Sequence, residues 1–139
     1  MGTQAQRVKR MVYRDGPFKV RFKLIREDGD YLTSSDVDSI SYRIERSVLN
    51  RSNQWEPQKN EQGQTVHYDV SVPTSAVLDD PVACINDDGE EDHYNFEYIF
   101  PTSGASLFPQ RNRQYLITFR LELSDGNISV PPEILCQMY

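Results

Sequence analysis

Strict alternation of apolar and polar side chains recurs along most of this chain, and it dictates strands. Phe18, Val20, Phe22 and Leu24 alternate with Lys19, Arg21 and Lys23, and Ile40, Tyr42 and Ile44 alternate with Ser41, Arg43 and Glu45. Val66, Tyr68, Val70 and Val72 alternate with His67, Asp69 and Ser71 in a third run that ends at Pro73. Tyr94, Phe96, Tyr98 and Phe100 form a fourth, stopped by Pro101. The clearest is Tyr115, Ile117, Phe119, Leu121 and Leu123 against Thr118, Arg120 and Glu122. A period of two sends one set of side chains to each face of a sheet, so each run predicts a strand with one buried face. No segment sustains the 3.6-residue pattern of a helix.

Turn chemistry separates the runs. Glu27-Asp28-Gly29-Asp30 and Ser124-Asp125-Gly126-Asn127 are tight-turn signals. Asn50 to Gln64 reads as a long hairpin loop, with Trp55 on a short strand inside it. Pro73 to Pro81 reads as a connection with at most one helical turn around Ser75 to Leu78, followed by a short edge strand to Ile85. After Pro131-Pro132 the apolar tail Ile134 to Tyr139 can run along a sheet edge. Seven or eight short strands of this kind predict an all-β, immunoglobulin-like antiparallel β-sandwich, with a small barrel as the alternative.

With 139 residues the chain suits one domain, and 37% hydrophobic content leaves enough aromatic and branched side chains for a core. We divide it into a basic N-terminal arm, 1–16, and a single sandwich domain, 17–139. Cys84 and Cys136 show no metal-binding spacing. They read as small hydrophobes in or near strands, with one long-range disulfide as the alternative. No apolar stretch approaches the ~20 residues of a membrane helix. The basic start is not followed by an apolar region, so no secretory leader is expected.

Charge is unevenly placed. Residues 1–26 carry eight basic side chains and one acid, a net +7, whereas residues 27–139 carry seven basic and twenty acidic ones, a net −13. A chain polarised in this way is suited to binding copies of itself or an acidic neighbour through its N-terminal segment. The candidate contact residues are Arg7, Lys9, Arg10 and Arg14 in the arm. Their complement is the acidic loop containing Asp87, Asp88, Glu90 and Glu91. Met138 and Tyr139 end an apolar tail that must pair with the sheet or bury against a partner. The acidic remainder argues against nucleic acid, since it would repel phosphate.

The residues offer little for catalysis. A nucleophilic site needs a Ser or Cys, a His in reach and a group to orient that His. The two histidines, His67 and His93, read as surface residues on a polar strand face and beside the acidic loop, and no known catalytic or phosphate-binding motif is present. The acidic loop around Gly89 supplies hard oxygen ligands, but calcium-loop spacing is absent, and crowding of like charges favours a solvated loop or a basic partner. No cofactor is expected. Trp55, with Tyr31 and Tyr94 behind it, is the candidate for sugar binding, against the simpler role of capping the core.

The runs PFKVRFKLIREDGD and VDSISYRIER, with the later VPTSAVL, YNFEYIF and YLITFRLELSDGN, resemble Ig-like modules of tailed-phage virion proteins of the baseplate or decoration type. The resemblance spans roughly residues 17–130. It implies a non-catalytic structural component of a virion, assembled in the host cytoplasm. Such a protein would bind other virion proteins and copies of itself, as capsid decoration or cement or as a head-tail or baseplate accessory. A carbohydrate- or host-surface-binding sandwich is the alternative.

Overall fold

The computed structural model describes residues 7–12, 17–26, 28–48, 54–60, 62–85, 88–103, 107–108, 113–126, 128–129 and 133–138; residues 7–12, 17, 102–103, 128–129 and 133–138 are described by backbone alone. Among the described residues ten strands form: β1 (Arg7–Val12), β2 (Pro17–Phe22), β3 (Val37–Ser47), β4 (Trp55–Pro57), β5 (Val70–Val72), β6 (Val77–Ile85), β7 (Glu91–Ser103), β8 (Gln114–Leu123), β9 (Ile128–Ser129) and β10 (Glu133–Met138). Short 3₁₀ turns lie at Ser34–Asp36 and Thr74–Ala76.

Two sheets result. The larger runs β1-β10-β8-β3-β4, with β5 also on β3 and β9 on β8; the smaller runs β2-β7-β6. The order β2-β7-β6 is the B-E-D order of an immunoglobulin domain, and β10-β8-β3-β4 is its G-F-C-C′ order. The protein is therefore an all-β, immunoglobulin-like sandwich, as the alternation predicts. Ten strands replace the expected seven or eight because β4, β5 and β9 are fragments of two or three residues.

The alternating apolar sets meet between the sheets. Phe18, Val20, Phe22, Phe96 and Phe100 of the small sheet pack against Ile40, Tyr42, Ile44, Tyr115, Ile117, Phe119 and Leu121 of the large one. Burying each such side chain contributes about 1.5–3 kcal/mol. Antibody domains join their B and F strands by a disulfide. Here the corresponding strands, β2 and β8, are bridged by the edge-on rings of Phe22 and Phe119, 5.9 Å apart. Tyr42 on β3 lies against Phe100 and Phe119 at 5.0 and 5.9 Å. Burial pushes its phenol pKa up to about 12.

Four expectations change. Arg7–Val12, inside the segment read as an arm, is a strand of the large sheet, paired in parallel with β10 from Arg7↔Glu133 to Val12↔Met138. The C-terminal segment consequently runs inside the sheet, between β8 and β1, and not along its edge. The Val66–Val72 run pairs only from Val70, because His67 and Asp69 adopt left-handed φ values of 55° and 56° that break extended geometry. β7 continues through Pro101, and β6 through Pro81. Each proline falls where the ladder slips, between Lys19↔Ile99 and Pro17↔Ser103, and between Val77↔Phe96 and Val82↔Tyr94. A missing amide hydrogen is tolerated at such irregularities.

Candidate partner-binding surfaces

The outer face of the small sheet is built by the residues that alternate with its core set. Lys19 and Arg21 stand on β2 and Lys23 just after it, and cross-strand neighbours share a face. Arg21 bonds Glu97 at 2.6 Å and lies over the Tyr94 ring at 4.6 Å, while Lys23 bonds Asp92 at 2.9 Å. Arg21 therefore spans residues three apart on β7, and the intervening Asn95 and Phe96 are both buried. The alternation of β7 slips there. The Arg21 bond holds the Glu97 carboxyl below the usual range, and the Lys23 bond, helped by the His93 amide, does the same for Asp92. Arg26 is ion-paired with Asp28, Asp30 and Asp36. Much of the positive charge of β2 and the following turn is thus answered inside the molecule.

Asn95 explains the slip. Its side chain is fully buried, accepting from the Leu24 amide at 2.6 Å and donating to the Leu24 and Leu32 carbonyls at 2.8 and 2.9 Å. It pins the Leu24–Leu32 hairpin to the sheet. Alternation predicts an outward, solvated residue here. No sequence signal marks the burial, since its partners lie 63 or more positions away.

Basic strand β1 forms one edge of the large sheet, and among the described residues it has no partner beyond β10. It brings the backbone of Arg7, Lys9 and Arg10 beside that of Glu133 to Met138, so the proposed arm and tail residues converge. Arg14, Asp87 and Tyr139 lie outside the described residues. Asp88, Glu90 and Glu91 are exposed at the turn joining β6 to β7, where Gly89 adopts φ +79°. That turn belongs to the small sheet, so the fold does not bring the basic strand and the acidic turn together. Among the described residues no group of three or more His, Cys, Asp or Glu is placed to hold a metal ion.

Among the described residues, three of the four exposed large hydrophobics belong to the small sheet: Val82 at 40%, Ile99 at 58% and Ile85 at 66%. Val82 and Ile85 sit on β6, the edge strand opposite β2. Asp79 of β6 is occupied structurally. It accepts from the Ser34 amide and hydroxyl, both at 2.8 Å, and these bonds hold its carboxyl below the usual range.

Trp55 is half-buried on β4, opposite Ser47, and takes no part in the core cluster. Its neighbour Glu56 accepts from Arg46 and Arg113, each at 3.0 Å. Desolvation raises the Glu56 pKa, but the two guanidinium partners outweigh it and hold the carboxyl low. Arg113 is itself buried. His67, expected on a solvated strand face, is partly buried in its left-handed bend, and that burial pushes its imidazole pKa down. Its carbonyl accepts from the Ile44 amide at 2.7 Å. His93 is exposed.

No protein-family model, curated protein or solved structure matches the chain.

Proposed function

We propose that this chain is a non-catalytic structural subunit of a tailed-phage virion, acting by docking on neighbouring protein subunits as a decoration, cement, head-tail or baseplate accessory. The observation that carries the reading is the β1–β10 pairing. It places a segment of strongly basic sequence at a sheet edge. An open edge offers main-chain groups to other chains, and basic sequence on it restricts docking to acidic partners. An immunoglobulin-like strand order is what the resemblance to virion modules implies. The half-buried position of Trp55 gives less support to a sugar-binding platform.

Quantitative mass spectrometry of purified particles of the encoding virus tests this. The chain should appear at a fixed copy number, and survive washing at moderate ionic strength. Absence from the particles overturns the reading.

A further inference from the structure

The two oppositely charged edges of the sandwich lie on opposite flanks. Residues 7–14 carry four bases and no acid, whereas residues 77–92, covering β6 and the turn after it, carry seven acids and no base. β1 ends the large sheet on one side, beyond β10. β6 starts directly after β5 and the Thr74–Ala76 turn, and both of those pack on β3 near the other end of that sheet. One molecule therefore cannot bring its own edges together. A second copy can.

We infer that the protein self-associates head to tail, the basic β1 edge of one copy docking on the acidic β6 edge of the next. This rests on the docking role proposed above and names a partner for it. Charge complementarity sets the direction, because β1 against β1 or β6 against β6 would place like charges together. The β6 edge also offers apolar surface. Val82 and Ile85 stand exposed there, and Val82–Ile85 forms the regular stretch beyond the slip at Pro81. A contact between two different patches is heterologous, so it repeats into rings or filaments and does not stop at a dimer.

Sedimentation of the purified full chain across concentration tests this directly. At low salt the average mass should climb past that of a dimer, and association should weaken about tenfold towards ~0.5 M salt as screening shortens to a few ångströms. Two variants then fix the geometry: Arg7→Glu/Lys9→Glu/Arg10→Glu, and Asp80→Lys/Glu91→Lys. Each alone should be a folded monomer by circular dichroism. Mixed, they should associate past a dimer again, since the native basic β1 edge of one meets the native acidic β6 edge of the other and the two reversed edges are again opposite in charge. A wild type that stays monomeric at low salt overturns the inference, as does a dimer that closes at two. Failures separate cleanly: a monomer found in virions sinks the inference alone, and a self-associating chain absent from virions sinks the virion reading alone.

Discussion

Asn95 gives the sharpest test of what holds this sandwich together. Asn95→Ala removes three hydrogen bonds from a site with no solvent access. The Leu24 carbonyl keeps one partner, the Leu32 amide at 3.0 Å. The Leu24 amide and the Leu32 carbonyl lose the partner that Asn95 supplied. Two stranded polar groups at about 1–3 kcal/mol each, plus some lost packing, give a cost of about 3–4 kcal/mol. For a chain of this length that lowers Tm by roughly 10–15 °C. Asn60 supplies the matched control. It also makes three such bonds, to the Gln62 and Gln64 amides and the Gln64 side chain, but on an exposed turn. Asn60→Ala should cost under about 1 kcal/mol, because water replaces each lost partner. Urea unfolding of both variants with unchanged slopes is the assay. Equal losses would refute the claim that burial, and not bond number, sets the cost. Asn95→Asp adds a sign test. Its carboxylate would face two carbonyl oxygens, so its folded pKa is raised, and the variant should lose stability as pH rises above about 4.

Glu56→Gln should destabilise by about 2 kcal/mol, read by urea midpoint, because the buried Arg113 loses its counter-charge. The exposed Arg21–Glu97 pair should yield under about 1 kcal/mol to Glu97→Gln in the same assay. His67 has a depressed folded pKa, so the unfolded chain takes up the proton first and stability falls as pH drops below about 6.5. His67→Asn tolerates the left-handed bend and should flatten that limb of the stability profile.

Legibility followed the range of the interactions. β2, β3, β7 and β8 were readable because alternation is a local property, and their apolar sets are the core observed. Turns at Gly29 and Gly126 were readable because positive φ selects glycine. Residues whose state depends on distant chain were not. Asn95, Gln58 and Arg113 are buried polar side chains in positions where a short window predicts solvent. Gln58 is explained only by its 2.6 Å bond to the Leu107 carbonyl, 49 positions on. The broken strand at His67 and Asp69 was hidden for a similar reason, since the alternation continues unchanged through residues whose backbone does not. Among the candidate contact residues, the acidic turn was expected and found exposed. Pairing of the N-terminal strand with β10 left no mark in either segment.

That parallel pairing also has a consequence in time. Arg7–Val12 leaves the ribosome 121 residues before its neighbour begins at Glu133, so at ordinary synthesis rates the two are separated by on the order of ten seconds. Throughout that interval nothing from the same polypeptide can claim the strand. Copies emerging side by side from one message would meet with their first strands still available, which makes the order of synthesis a factor in who pairs with whom.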